Sequence, residues 1–446
     1  MENRHFLGAV IGIMFSVPLA AQPPSPPPES AELPKPISLK QAEDILLRKN
    51  LMVAASRQQV EIADALRRIA GLKPNPTLQL GAEQFSVASP VPYRVSRPFV
   101  TNSNAGANPV MTIQYGQSIE RGGKRMLRSQ QADAFLDAAK AQVLDAFRQQ
   151  LLLLRLAFTS ALLARENLKL AEATDAQYAS TEKLMEARLQ AGDIAGIDVE
   201  RVRAARLPFQ QAVLDTRAAL WQAARDIATV LSAAPARGAA AFTPGATFEP
   251  VLEIAGELSD PQIAAPLDEL VQMAVQARPD LQVARSLLKA SESGSRLAVA
   301  QKTRDLNSAL EYQRVGNDTA MGVVVSFPLF VHNNQSAAIA QAAAQQRLAA
   351  TQAKLMELQV VADVEKAYQS VAAARRTLNL YSREALQRTE GIRTIVNYSY
   401  QRGEASLLEA LDAQRTAVQT QVAYNQARAN YLNSLWLLQS ALGKTQ

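Results

Sequence analysis

Residues 402–415 read RGEASLLEALDAQR, and residues 191–204 read AGDIAGIDVERVRA. In both, a glycine and an acidic residue separate a long helical pattern from a second one, and Gly403 follows Gly192 by 211 positions. Glycine tolerates the left-handed conformation that ends a helix, so each stretch predicts a hairpin tip between two helices. Upstream of the first tip, no glycine or proline interrupts the chain from Met126 to Gln190. There Leu144, Phe147, Leu151, Leu154, Phe158, Ala161 and Leu168 step by three and four, the spacing of one helix face. At the helical rise this segment is about 95–100 Å long, longer than a globular domain is wide. A shorter helix is predicted from Asp198 to Leu231. The second tip repeats the arrangement, with an uninterrupted helix expected from Ser336 to Gln401 and a shorter one from Leu407 to Leu442.

Further upstream the duplication continues. PLDELVQMAVQARPDLQVARSLL (266–288) resembles SLKQAEDILLRKNLMVAASRQQV (38–60) at an offset of 228. The first copy reads as a helix from Ser38, a cap with Gln41 at the capping-box position, to about Leu72. Between these helices and the long ones lie segments of period two. In PVMTIQYGQSI (109–119), Met111, Ile113, Tyr115 and Ile119 share one side and Thr112, Gln114, Gly116 and Ser118 the other. Leu78, Leu80 and Ala82 are in phase in PTLQLGAEQFSV (76–87), which predicts a hairpin over 76–119 with a polar loop at 88–108. MGVVVSFPLFVHNNQS (321–336) aligns with 111–126 at an offset of 210, with Met321, Val323, Val325, Phe327 and Leu329 in one phase. It predicts a second hairpin over 306–330.

The expected organisation is an export signal at 1–21, a proline-rich arm at 22–37, a first repeat at 38–232, a connector at 233–265 and a second repeat at 266–446. The signal rests on Arg4, the apolar run Phe6–Val17 and the small residues Ala20 and Ala21. The chain has no cysteine, which excludes disulfides and thiolate metal sites. The formal charge of +6 is spread along helices between acidic residues, as on solvated faces, and no nucleic-acid surface is expected. The fold class is mainly α with a transmembrane β contribution. Strands of about ten residues suit a bilayer, yet four cannot close, and an open edge in lipid leaves backbone groups unsatisfied. The expectation is a trimer whose twelve strands form a barrel, continuous with an α-helical barrel.

The duplicated helix, hairpin, long helix, glycine tip and short helix, with QRGEASLLEALDAQR (401–415) as the most distinctive stretch, resemble TolC-like outer-membrane factors. SIERGGKRMLRSQQADA (118–134) is similar to the strand-to-helix junction of the heavy-metal cation efflux subgroup of the CzcC type. The resemblance implies a passive exit duct of a tripartite efflux system, crossing the outer membrane and reaching into the periplasm, for substrates such as heavy-metal cations or small toxic compounds. It implies a homotrimer, joined by a periplasmic adaptor to an inner-membrane pump of the RND type. It places the periplasmic constriction at Glu409 and Asp412, and a closed-state latch at Asp198 and Tyr400, without the arginine that completes the latch, since Ala405 stands there. Gly192, Asp193, Arg402, Gly403, Glu404 and Ser406 are the expected adaptor-contacting tips. Two other readings share parts of the pattern: a duct for type I protein secretion, and a periplasmic coiled-coil adaptor, which has no place for four strands.

On physical grounds, residues three apart on a helix share a face, so a three-fold axis would gather Glu409 and Asp412 into an anionic ring. Mutual repulsion in such a ring raises carboxylate pKa values; the plainer reading is two solvated carboxylates near a helix N-terminus. RGGKR (121–125) lacks the spacing of a phosphate-binding loop. With only His5 and His332, no histidine metal cluster and no catalytic constellation is expected, and neither is a cofactor. Tyr93, Phe99, Tyr115, Phe327 and Phe330 are read as interface anchors or strand-packing aromatics.

Overall fold

The computed structural model describes residues 36–83, 110–233, 252–258, 265–315, 318–381 and 383–443. The predicted signal, nearly all of the arm, the loop at 88–108 with Tyr93 and Phe99, and most of the connector lie outside the described residues. In chain order the elements are α1 (Leu39–Lys49), α2 (Leu51–Ala70), β1 (Thr77–Glu83), β2 (Val110–Ile119), α3 (Lys124–Gln190) and α4 (Gly196–Val230). Then follow α5 (Leu267–Ala277), α6 (Pro279–Ala300), β3 (Leu306–Val315), β4 (Asp318–Ser326), α7 (Ser336–Leu380), α8 (Arg383–Gln401) and α9 (Leu407–Ala441).

The 67-residue α3 is about 100 Å long and packs against α2, α4, α6 and α9. With neighbours on several sides it cannot be apolar along one stripe alone. Its buried positions accordingly include Arg148, Arg155 and Thr159 beside Leu151, Leu154 and Phe158. Near the middle of α3, Leu154, Phe158 and Leu162 meet Leu46 of α1, Ile227 of α4 and Leu432 of α9. Leu252, Ile254 and Leu258 of the connector close this cluster. Ile37 pairs in parallel with Ile254, and Arg165 donates to the Ile254 carbonyl at 2.6 Å, so the described part of the connector is fastened to α3 here. A second cluster joins Leu270 and Leu281 to Val360, Val364 and Leu438.

Three sequence expectations are corrected. The predicted helix 38–72 is two helices, because Asn50 leaves the helical region (φ −63, ψ 124) to cap α2; its counterpart Arg278 does the same (φ −69, ψ 120) ahead of Pro279. The helix expected unbroken over 336–401 ends at Leu380, where Tyr381 takes φ −94, ψ 48, and neither proline nor glycine marks the site. The fourth strand stops at Ser326 rather than running to 330, since Pro328 has no N–H to give the ladder.

The breaks at Asn50 and Arg278, related by the same offset of 228, are joints where one short helix abuts another. At the first, Asn50 caps α2 by accepting from Val53 N–H at 2.9 Å and donates to the Val230 carbonyl at the end of α4 at 2.6 Å. Leu51 N–H donates to Ser232 Oγ at 3.0 Å. Orphan donors of one helix and orphan acceptors of the other are thus satisfied together. At the second joint, Arg278 is 5% exposed and binds Asp280 at 2.9 Å and Asp363 at 2.7 Å, while its other nitrogen reaches the Ala441 carbonyl of α9. Arg148 donates to the Ser440 carbonyl at 3.2 Å.

Arg278→Met would leave Asp280 and Asp363 partly buried without their main cation, a change that costs about 3 kcal/mol or more. Asn50→Ala removes one cap and one bridge, about 1–2 kcal/mol. Denaturant unfolding of the detergent-solubilised protein should therefore rank Arg278→Met as the more destabilising; the reverse order would show that the second joint does not depend on its ion pairs.

Candidate functional site

The four strands form one antiparallel sheet in the order β1-β2-β3-β4. Its register aligns Leu78, Tyr115, Leu310 and Val323 across the sheet, and Leu80, Ile113, Tyr312 and Met321 beside them. All eight are exposed, from 39% for Tyr312 to 83% for Met321. A continuous apolar face four strands wide therefore meets solvent in the single chain. The other face carries Gln79, Gln114, Glu311 and Gly322 in one row, and Gly81, Thr112, Gln313 and Ala320 in the next. Tyr115 lies mid-strand on the apolar face. Phe327 and Phe330 lie beyond β4, each under the Arg304 guanidinium, at 5.9 and 5.7 Å.

At the other end of the long helices the two tips share one backbone design. Gly192 (φ 81) and Gly403 (φ 77) are left-handed. Asp193 N–H reaches the Arg188 carbonyl and Glu404 N–H the Ser399 carbonyl, both at 2.9 Å, with Gly192 and Gly403 bonded to Leu189 and Tyr400 at 3.0 Å. This is the Schellman pattern, which satisfies the last carbonyls of α3 and α8. Among the described residues, nothing lies within 4 Å of where a Cβ on either glycine would be. Asp193, Arg402, Glu404 and Ser406 are exposed around them.

After the turns the repeats diverge. Ser406 and Glu409 form a capping box: Glu409 Oε2 accepts from Ser406 N–H at 2.7 Å and from Ser406 Oγ at 2.8 Å, while Ser406 Oγ accepts from Glu409 N–H at 3.2 Å. These bonds favour the charged form and hold Glu409 below the usual carboxylate value. The elevation expected of a crowded carboxylate is thus opposed, within one chain, by the cap. Asp412 is exposed and bound to Arg415 at 2.7 Å. In the first repeat Asp198 occupies the position equivalent to Glu409, but Ala195 precedes α4 with no side-chain cap, and Asp198 pairs with Arg201 at 3.1 Å.

Tyr400 and Asp198, the residues expected to form a latch, interact without a hydrogen bond between them. The Tyr400 hydroxyl lies 3.4 Å from Met185 Sδ, because the ring packs on the cluster of Tyr178, Met185, Val199 and Val202. Burial, with Asp198 nearby, pushes the hydroxyl above its ordinary range. Two networks went unseen in the sequence. Gln177 of α3, Gln414 of α9 and Arg393 of α8 share hydrogen bonds of 3.1–3.4 Å, tying the repeats together beside a cavity of about 600 Å³. Between α3 and α4, Arg206 holds Asp175 and Glu182 at 2.7 and 3.0 Å, and Arg203 holds Glu182 and Glu186 at 2.9 and 2.5 Å. The signal for this ladder was present in acids placed seven and four residues apart on α3 opposite arginines three apart on α4. Among the described residues no group of histidine and carboxylate side chains could hold a metal ion.

Residues 44–233 and 270–444 match the model of a family described as outer membrane efflux protein. The cobalt-zinc-cadmium resistance protein CzcC of Cupriavidus metallidurans is 24% identical over 399 residues, covering 87% of this chain and 86% of its own. The outer membrane protein VceC of Vibrio cholerae superposes with a TM-score of 0.71 at 20% identity, over 91% of this chain and 96% of its own. CusC, described for conformational changes accompanying folding and transmembrane channel formation, gives 0.72 at 16%, with 91% of each chain covered.

Asp175 and Glu182 are held below their ordinary values of 3.8 and 4.5 by bonds to arginine. A depressed folded-state pKa contributes stability above the unfolded value and loses it as pH falls through the folded one. The ladder should be intact above about pH 5 and lost on further acidification. Hydrogen exchange, corrected for intrinsic rates, should accelerate at amides near the first tip below that pH, and Arg206→Met should reproduce this at neutral pH. Unchanged protection in the variant would assign the α3–α4 contact to apolar packing alone.

Proposed function

The chain belongs to the outer membrane efflux protein family, and we propose on that premise that three copies join their sheets into one twelve-stranded barrel continued by a barrel of long helices. The observation that carries this is the four-stranded sheet whose two edges have no strand partner among the described residues and whose one face is apolar. In lipid each unsatisfied backbone group costs several kcal/mol, so a spanning sheet has to close. From Met111 to Ile119 the strand rises about 27 Å, the length of the roughly 9–11-residue tilted strands that cross a bilayer. The polar face, with Thr112, Gln114, Gln313 and Glu311, then lines an aqueous lumen.

In this reading the protein is the outer-membrane exit duct of a tripartite efflux system, passive in itself. A periplasmic adaptor meets the tips at Gly192, Asp193, Arg402, Gly403, Glu404 and Ser406 and couples them to an inner-membrane RND pump. Heavy-metal cations are the proposed cargo, from the name of the CzcC relative. Glu409 and Asp412 of three copies form the constriction, Glu409 keeping its charge through the Ser406 bonds. Asp198 and Tyr400 act as the latch by a shift of the Tyr400 hydroxyl away from Met185. Residues 1–21 direct export, 22–37 form an arm, and 233–265 connect the repeats.

Two measurements test this. The purified protein should run as a trimer in detergent by native mass spectrometry and conduct ions in planar bilayers; a monomer without conductance would overturn the barrel. Glu409→Gln with Asp412→Asn should lower the preference for cations over anions by several-fold. If conductance persists with unchanged selectivity, the constriction lies elsewhere and the barrel stands.

A further inference from the structure

Where the strands hand over to the helices, the chain accumulates cations that its carboxylates do not neutralise. The segments 120–125 and 302–305 are locked together: Asp305 accepts from Arg121 N–H and from Lys124 Nζ, each at 2.9 Å. Gly122 lies so close to Thr303 that a Cβ would meet its side chain at 2.9 Å. Glu120 is occupied by both guanidinium nitrogens of Arg128. The two acids of the junction are therefore spent on Lys124 and Arg128, and both titrate below their usual values. Lys73, Arg121, Arg125, Lys302 and Arg304 remain, all exposed, and none of the five makes an ion pair with a described carboxylate.

Their placement relative to the sheet selects what they meet. Ile119 and Leu306 are paired in register at the end of the apolar face, and Arg121 and Arg304 each lie two residues beyond them. Arg304 stands over Phe327 and Phe330, an aromatic and a cation together at the end of an apolar band, as at a membrane–water boundary. Lys73 and Arg125 line a groove of about 990 Å³; its one lining carboxylate, Glu120, is held by Arg128, which leaves the two cations to meet a bound oxygen anion. A solvated helix face would alternate signs along its length; here five cations of one sign fall at one level of the molecule.

We propose that this junction binds the anionic headgroups of phospholipids in the leaflet nearest the helices, an inference that rests on the membrane-spanning reading of the sheet. Each cation close to an anionic surface strengthens binding about fivefold, and salt weakens it as screening rises.

The test uses the full detergent-solubilised protein, titrated in native mass spectrometry with phosphatidylglycerol and with phosphatidylcholine of the same acyl chains. Phosphatidylglycerol should bind at least tenfold more tightly, with the preference shrinking as ammonium acetate is raised. Lys73→Gln, Arg121→Gln, Arg125→Gln and Lys302→Gln combined should abolish it, whereas Lys73→Arg with Lys302→Arg should retain it. If the combined variant does not fold, Lys73→Gln and Arg125→Gln singly, which break no ion pair, should each lower the preference about fivefold. Equal affinity for the two lipids, a preference that survives neutralisation, or complete competition by millimolar inorganic phosphate would each overturn the proposal, the last by assigning the groove to a free anion. Planar-bilayer conductance of the same preparation separates the two readings. A conducting protein without lipid preference loses only this inference, and one that neither inserts nor conducts loses the barrel as well.

Discussion

The edges of the sheet constrain everything else. β1 and β4 each present a row of backbone donors and acceptors without strand partners among the described residues, and edges that stay in water are ordinarily blunted by lysine, proline or a bulge. Neither edge is protected in this way: the only charges are Glu83 at the end of β1 and Asp318 at the start of β4. The apolar face between them is exposed from Leu78 to Met321. A surface of this kind is unstable in water as a monomer, and a second sheet in the same register satisfies the edge and continues the face. The two faces then have to meet different media, because their central rows differ: Leu78, Tyr115, Leu310 and Val323 with Leu80, Ile113, Tyr312 and Met321 on one side, Gln79, Gln114, Glu311 and Gly322 on the other.

The duplication shows how one design was fitted to two tasks. Both tips end in the same Schellman turn, and both joints lie at the same offset, yet the chemistry filling them differs. The first joint is closed by an asparagine cap and a serine at φ 54, the second by a buried arginine and a glycine at φ 74. The first hairpin of helices is held by an arginine–carboxylate ladder along an unbroken α3. In the second, the helix opposite α9 is divided at Tyr381, and Arg393 shares its bonds with Gln177 of the other repeat. The first repeat is thereby braced within itself and the second is braced against the first.

Much of this was legible in the sequence because it is local. Gly192 and Gly403, the Ser38–Gln41 capping box, the uninterrupted 126–190 pattern and the alternation around Ile113 and Val323 each depend on residues within a turn or two. What the sequence concealed was long-range. Asn50 reads as an unremarkable helical residue until the end of α4 arrives to receive its amide, and Arg278 is disguised by the proline after it. Gln177, Arg393 and Gln414 are each a surface polar residue on a helical wheel, and only packing makes them a network. Tyr400 carries the composition of a latch, but its ring is drawn into the Met185 cluster, so its hydroxyl points at sulfur in the single chain. The Tyr381 break has no compositional mark at all.

In the proposed trimer, Glu409 would serve a local and an assembled role. Its cap uses Oε2 alone, and a carboxylate has about four acceptor sites, so Oε1 remains free to face an axis. Bringing three such groups together favours proton uptake, since like charges disfavour ionisation. The Ser406 bonds act in the opposite direction by favouring the charged form. Asp412 adds little net charge, because Arg415 accompanies it, and Asp198, at the equivalent place in the first repeat, is likewise matched by Arg201. The uncompensated negative charge near the second tip is therefore concentrated in Glu409 and the exposed Glu404. A capping box at this position does more than start α9, because its hydrogen bonds favour the ionised carboxylate against the repulsion that the proposed assembly would add.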